Sequence, residues 1–84
     1  MTWTVVWFDS AQDQLAELWM TAADRNALAL AANTIDQLLR QDPYAVGESR
    51  VGNNRILFAS PLGVTYDVSD DDRLATVLAV WRTS

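Results

Sequence analysis

The segment GESRVGNNRILFASPLGVTYDVSDDDRLATVLAVWR, residues 47–82, decides the fold of this chain. It contains three short apolar runs, 56–58, 64–68 and 77–81, which are rich in β-branched and aromatic residues and are separated by Gly, Pro, Asn and Asp. This composition, with the alternation of apolar and polar residues in the middle run, is typical of β-strands joined by tight turns. The segment therefore predicts three consecutive strands of an antiparallel sheet.

The sequence Ser60-Pro61-Leu62-Gly63 predicts the turn between the first two of these strands. Ser at its first position, Pro at its second and Gly at its fourth match a type I turn. If this turn pairs Ala59 with Val64, then Arg55 lies opposite Val68. One face of the two strands would then carry Arg55, Leu57, Tyr66 and Val68, and the other Ile56, Phe58, Thr65 and Asp67. Neither face would be cleanly polar, so either the open face is partly apolar, as a partner-binding surface would be, or a bulge shifts the register.

The N-terminal part of the chain predicts one strand and a first helix. Residues 2–8 are almost all β-branched or aromatic, at odd and even positions alike. This pattern is typical of a strand that is covered on both faces. Asp9 or Ser10 then caps a helix. Its predicted apolar stripe, at helical spacing, is Ala11, Leu15, Leu18, Trp19 and Ala22.

A second helix begins after a cap at Thr21 or Asp24 and ends at Asp42-Pro43, because the residue before a proline disfavours the α region. Its predicted apolar stripe is Leu28, Ala31, Ala32, Ile35, Leu38 and Leu39. Two such helices with a short connection predict an antiparallel αα-hairpin. The whole order is typical of one α+β domain over residues 1–84, with the hairpin packed on one face of an antiparallel sheet that includes the first strand.

The composition excludes several classes of function. The 84 residues include no Cys and no His, which removes disulfides, thiolate metal sites and the commonest general base, so we predict no metal and no cofactor. There is no apolar run long enough to span a membrane and no secretory signal, which predicts a cytoplasmic protein without a membrane partner. The net charge of −5, with no Lys, argues against a dedicated nucleic-acid binder.

The order of elements, the Asp42-Pro43 helix exit and the runs 47–50, 55–58, 61–66, 72–73 and 77–81 resemble the RelE/ParE superfamily. These are small bacterial toxins of type II toxin–antitoxin modules, and the chain looks like a plasmid-stabilisation-like subgroup. The resemblance covers essentially the whole chain and implies a RelE/ParE-like fold. It also implies a toxin that is neutralised by a cognate antitoxin and acts by mRNA cleavage in the ribosome or by inhibition of DNA gyrase.

Six residues match family positions or binding chemistry. The catalytic candidates are Arg55, Tyr66 and Arg82, and the binding candidates are Arg50, Arg73 and Trp81. Arginine suits phosphate because its planar fork donates two hydrogen bonds, and a ribonuclease must stabilise charge on the phosphorane. On this hypothesis Tyr66 positions the RNA, and Arg55→Ala abolishes cleavage with little loss of thermal stability. Trp81, near the end of the last strand, is a candidate partner contact.

Other interpretations of these residues stay open from the sequence. Arg55 can instead pair with Asp67 or Glu48, Tyr66 can be a core aromatic, and Arg73 can balance the Asp70–Asp72 turn. The chain lacks the family's lysines and has no His or Tyr after Trp81, so ribonuclease activity is left open. The alternative function is a non-catalytic protein-interaction module on the same fold, without toxicity.

Overall fold

The computed structural model describes residues 2–83, so Met1 and Ser84 of the predicted domain lie outside the described residues. In chain order the elements are β1 (Thr4–Trp7), α1 (Asp9–Thr21), α2 (Arg25–Gln41), β2 (Glu48–Ser49), β3 (Asn54–Ala59), β4 (Leu62–Ser69) and β5 (Leu74–Arg82). The strands form one five-stranded sheet in the order β1-β5-β4-β3-β2. The α+β class and the helical hairpin on one face of the sheet are confirmed.

The first strand joins the sheet as predicted, but in parallel. Thr4 of β1 lies opposite Leu74 of β5, and Trp7 lies opposite Val77. The sheet is therefore mixed, and the prediction of a purely antiparallel sheet was wrong. Alternation in a sequence records which side chains share a face but carries no information on strand direction.

The turn between β3 and β4 is tighter than predicted. It consists of Ser60 and Pro61, whose peptide bond is cis. Ala59 pairs with Leu62 rather than with Val64. Arg55 consequently lies opposite Tyr66. This register differs by two residues from the predicted one, and because the side-chain period of a strand is also two, the predicted division into faces is confirmed.

Helix α1 begins at Asp9 after an N-cap at Phe8, so the predicted caps at Asp9 and Ser10 were wrong. Ser10 instead donates its hydroxyl hydrogen to the carbonyl of Leu78 (3.0 Å). The backbone N–H of Val80 donates to Oε1 of Gln14 (2.9 Å). The β4–β5 register shifts beside these residues, which leaves ladder groups of β5 unpaired. Side chains of α1 satisfy them and seat the helix on β5.

Helix α2 begins after Asp24 and ends just before Asp42-Pro43, as predicted. The core lies between this helix and the sheet. Its buried members are Trp3, Val5, Ala11, Leu28, Ala31, Ile35, Leu39, Leu57, Leu62, Val64, Tyr66, Val68, Ala75, Val77 and Val80. Of the stripe predicted on α1, only Ala11 is buried, and Trp19 is 41% exposed. Within residues 2–83, no helix is long and apolar enough to cross a membrane.

Candidate functional site

Tyr66 and Arg55 face each other across β4 and β3, on the side of the sheet that the helices cover. Tyr66 is fully buried, and its hydroxyl donates to the carbonyl oxygen of Pro43 (2.7 Å), with the carbonyl of Val46 at 2.8 Å. Nε of Arg55 donates to the same hydroxyl oxygen (3.2 Å). The Tyr66 hydroxyl is therefore buried, and its hydrogen-bond partners are protein groups.

The guanidinium of Arg55 holds the loop between α2 and β2. Its Nη2 donates to the carbonyl oxygens of Tyr44 (3.3 Å), Val46 (3.1 Å) and Gly47 (3.4 Å), and its charge lies 5.8 Å from the centre of the Tyr44 ring. Gly47 has φ +73°, which turns the chain toward Arg55. We call Arg55, Tyr66 and residues 43–47 the Arg55 corner. The sequence-based pairing of Arg55 with Asp67 or Glu48 was wrong.

Tyr44 adds a second polar link at this corner. Its hydroxyl donates to Oδ1 of Asp70 (3.0 Å), and this hydrogen bond raises the pKa of Tyr44 because it stabilises the protonated phenol. The Tyr44 ring also meets the Trp3 ring edge-on at 5.8 Å. Tyr44 lies in the loop between α2 and β2, and nothing in the local sequence pattern marks these long-range contacts.

Arg82 is separated from this corner. It lies opposite Leu62, four residues along β4 from Tyr66, which is roughly 13 Å away at the rise of a strand. Its Nη1 and Nη2 donate to the two carboxylate oxygens of Asp24, at 3.0 and 2.7 Å. This hydrogen bonding lowers the pKa of Asp24 and raises the pKa of Arg82. The pair ties the end of β5 to the connection between the helices.

The remaining arginines also have partners within the chain. Arg50 pairs with Glu48 (3.1 Å), and Arg73 places its guanidinium 4.5 Å from the centre of the Trp3 ring. Arg73 has φ +49° and follows the acidic turn. Arg25 donates to carbonyls at the end of α1, and Arg40 pairs with Asp36. All six guanidinium groups are thus engaged, and the two on the long strands, Arg55 and Arg82, both point to the covered side.

The open face of the sheet carries aromatic side chains. Phe58, Gly63 and Trp81 lie in one row across β3, β4 and β5. The Phe58 and Trp81 rings meet edge-on at 6.2 Å above Gly63, where a Cβ would come within 2.9 Å of the indole. Phe58 is 59% exposed, and Val6 and Phe8 are exposed at the far edge. Of the six predicted site residues, Trp81 is the one whose strand position puts it on the open face.

A groove of about 530 Å³ separates the two helices. Its α1 wall includes Leu15, Ala16 and Trp19, and its α2 wall includes Ala32 and Asn33. Trp7 of β1 also lines it. The sequence predicted that Trp19 would pack in the core. The structure instead leaves it half-covered at the groove, because α1 packs on β5 at the edge of the helical layer.

No group of acidic side chains in the part of the chain that the structure describes is arranged to hold a metal ion. The Asp70–Asp72 turn carries exposed carboxylates, and Ser69 donates its hydroxyl to Asp72 (3.4 Å).

Comparison with solved structures gives strong matches over nearly the whole chain. A chain of the RelBE2 toxin–antitoxin complex from Mycobacterium tuberculosis matches with a TM-score of 0.80 and 18% identity, covering 100% of this chain and 95% of that one. The ParDE toxin–antitoxin system of P. aeruginosa matches with a TM-score of 0.69 and 17% identity, covering 98% and 97%. The isolated RelE toxin of E. coli matches with a TM-score of 0.67 and 15% identity, covering 98% and 85%.

This chain has the RelE/ParE toxin fold. No protein-family model matches its sequence, and no curated protein matches it significantly. At the identities found, the likeness is one of fold. The RelE/ParE fold that the family resemblance implied is therefore confirmed.

Within this RelE/ParE fold, the predicted site residues do not form one cluster. Arg55 and Tyr66 come together, Arg82 lies at the other end of the covered face, and Trp81 lies on the open face. Their catalytic and binding roles stay predictions. The contacts of Arg55, Tyr66 and Arg82 are those of structural residues, since each holds a loop or helix connection in place.

Proposed function

We propose that this chain is the toxin component of a type II toxin–antitoxin module and acts in the cytoplasm in complex with a cognate antitoxin. The observation that carries the proposal is the match along the entire chain, with a TM-score of 0.80, to a chain of a toxin–antitoxin complex. The match to the isolated E. coli RelE toxin supports the toxin rather than the antitoxin role.

The engaged arginines favour a protein target over RNA. Recognition of a phosphate by arginine uses the planar donor fork, and here Arg55 and Arg82 direct those donors to carbonyls and to Asp24. The net charge of −5 opposes approach to a polyanion. The chain also has no His to transfer a proton near neutral pH. Of the two actions that the family resemblance implies, inhibition of DNA gyrase fits these side chains better than mRNA cleavage.

The pairing of the arginines within the chain also supports the second candidate, a protein-interaction module without toxicity. Its exposed apolar side chains, Phe58 and Trp19, would then contact a partner without consequence for growth. The two candidates differ in what the chain does when it is produced alone.

Growth after induction of the chain alone separates the candidates. We expect arrest, relieved when the product of the adjacent open reading frame is produced with it. Normal growth in the presence of soluble, folded protein would contradict the toxin proposal and support the interaction module. In an arrested culture, loss of DNA supercoiling activity with intact mRNA would identify a protein target. Cleaved mRNA with normal supercoiling would contradict it.

A further inference from the structure

A small cleft of about 150 Å³ opens beside the Arg55 corner, between the loop that follows α2 and the turn that joins β2 to β3. Its lining includes a guanidinium, a hydroxyl and an amide but no carboxylate. The lining residues are Tyr44, Ser49, Gly52, Asn53, Arg55 and Val68. We call this space the donor cleft.

One nitrogen of the Arg55 guanidinium is not used by the fold. Nε and Nη2 donate to the Tyr66 hydroxyl and to carbonyls of the loop, whereas Nη1 has no hydrogen-bond partner within residues 2–83. The buried side-chain atoms that lack a partner in this range are Asp67 Oδ1 and Arg73 Nε, so Nη1 is open to solvent. Because its other contacts already fix the guanidinium, an acceptor that binds at Nη1 costs little further ordering of the side chain.

Two further polar groups face the same cleft. The hydroxyl of Ser49 and the side-chain amide of Asn53 are exposed, and neither has a hydrogen-bond partner in the part of the chain that the structure describes. A carboxylate accepts several hydrogen bonds at once, and a charged donor is the strongest of them. The donor cleft therefore offers a carboxylate one charged donor and two neutral ones.

A second depression, of about 500 Å³, adjoins the donor cleft and has the opposite charge. The two spaces share the lining residues Tyr44, Asn53 and Val68. Three aspartates of β4 and of the turn after it line the second one: Asp67, Asp70 and Asp71. Within residues 2–83 none of these carboxylates has an ion pair. We call this space the acidic depression, and its carboxylates favour a cationic group over an anionic one.

The ring of Tyr44 separates the two charges. Cζ of Arg55 lies 5.8 Å from the centre of this ring, and the hydroxyl of the same ring donates to Oδ1 of Asp70 (3.0 Å). One aromatic side chain therefore spans the distance between a cationic and an anionic group. A ligand that lies along this exposed ring can reach both groups with a short carbon chain.

We propose that the donor cleft and the acidic depression together bind a small zwitterion of the amino-acid class, with its carboxylate at Nη1 of Arg55 and its ammonium group beside Asp70. A simple anion fits less well, because the adjoining aspartates and the net charge of −5 repel it. A simple cation leaves Nη1 without an acceptor. A zwitterion has no net charge to repel and pairs at both ends.

Titration of the full chain with γ-aminobutyrate, followed by NMR of the backbone amides, tests the site. Butyrate and butylamine are the control ligands, because each keeps the carbon chain and one of the two charged groups. We expect saturable shifts at residues 44–53 and 70, and binding of γ-aminobutyrate at least about tenfold tighter than that of either control. Equal affinity for γ-aminobutyrate and butyrate would overturn the proposal, as would shifts that do not saturate.

A pair of variants tests the carboxylate end. Ser49→Asp places a carboxylate in the donor cleft, where it can itself pair with Nη1 of Arg55. Asn54→Asp adds the same charge at an exposed position that lines neither space. We expect Ser49→Asp to weaken γ-aminobutyrate binding about tenfold or more and Asn54→Asp to change it less than about twofold. Equal losses would show a dependence on overall charge and contradict the assignment of the cleft.

A second pair of variants tests the ammonium end. Asp70→Asn removes the charge but keeps an acceptor for the Tyr44 hydroxyl, and Asp72→Asn makes the same change at an exposed position outside the depression. We expect Asp70→Asn to weaken γ-aminobutyrate binding about two- to fivefold and to strengthen butyrate binding, with neither change in Asp72→Asn. Opposite effects on the two ligands cannot come from a loss of folded protein. A folded Asp70→Asn chain with unchanged affinity for γ-aminobutyrate would refute the proposal.

Discussion

The Arg55 corner and the α1–α2 groove contain similar side chains in opposite states. At the corner, Nε and Nη2 of Arg55 and the hydroxyl of Tyr66 are paired, and the Tyr66 ring is fully buried. Along the groove, Trp19 is 41% exposed, and Leu15, Ala16 and Ala32 line the same open space. The corner therefore stabilises the fold through buried, paired polar groups, whereas the groove leaves apolar surface in contact with water.

Gly47→Ala should show the largest effect, on the free energy of unfolding. Its Cβ would lie 2.6 Å from the hydroxyl oxygen of Tyr66 and 2.8 Å from the carbonyl of Ile56, at a φ that disfavours side chains. We expect a loss of about 3 kcal/mol or more, measured by chemical denaturation. Gly52→Ala is the control, because Gly52 has φ +66° but open space around it, and should cost only about 1 kcal/mol. Equal losses would mean that the corner is loosely packed.

Arg55→Ala should have the second-largest effect on the free energy of unfolding. Removal of the guanidinium leaves the carbonyls of Val46 and Gly47 without this donor and the Tyr66 hydroxyl without its neighbour. We expect a loss of about 1–3 kcal/mol in the free energy of unfolding, against less than about 1 kcal/mol for Arg50→Ala at an exposed ion pair. This outcome is the reverse of the sequence-based expectation for a catalytic Arg55, in which stability is retained and cleavage lost. A stable Arg55→Ala protein without activity would restore the catalytic hypothesis.

The Asp24–Arg82 pair should give a smaller, pH-dependent effect. Because folding lowers the pKa of Asp24 from its ordinary value of 3.8, the ionised carboxylate stabilises the folded state above that pH, and the contribution disappears as the pH falls through the lowered pKa. Asp24→Asn should therefore lower the Tm at neutral pH and converge with the parent in acid. Asp71→Asn, at an exposed turn, serves as the control. A constant Tm difference for Asp24→Asn down to strong acid would contradict this assignment.

Ala16→Trp should have the smallest effect on stability. Ala16 is exposed on the groove wall, so the new ring has room, and we expect a change within about 0.5 kcal/mol. Ala11 lies on the same helix but is fully buried against the sheet, and Ala11→Trp should cost about 1–3 kcal/mol or more through overpacking. Similar losses for the two variants, measured by thermal unfolding, would remove the distinction between the covered and open faces of α1.

The sequence predicted features that depend on periodicity and local chemistry. The α2 helix, its exit at Asp42-Pro43 and the faces of β3 and β4 follow from residue spacing, and the faces survived a register error of two residues. Fold recognition also succeeded, because the order of elements and the strand patterns extend over the whole chain.

The same reasoning could not identify contacts between residues that are distant in sequence. Arg55 and Arg50 look alike in sequence, but only Arg55 meets a loop that a left-handed Gly47 folds toward it. Trp3 and Trp19 both sit in apolar patterns, yet Trp3 is 8% exposed and Trp19 is at the groove. Burial and charge pairing depend on which elements pack together, and a single pattern does not contain that information.

The parallel pairing of β1 with β5 has a consequence for how the protein is made. Thr4–Trp7 are synthesised well before their strand partners at Leu74–Val77, which lie at the other end of the described fold. Until residues 74–77 leave the ribosome, β1 has no neighbouring strand to pair with, and the core is uncovered at that edge of the sheet. Such a long-range closure delays completion of the sheet until residues 74–77 have been synthesised.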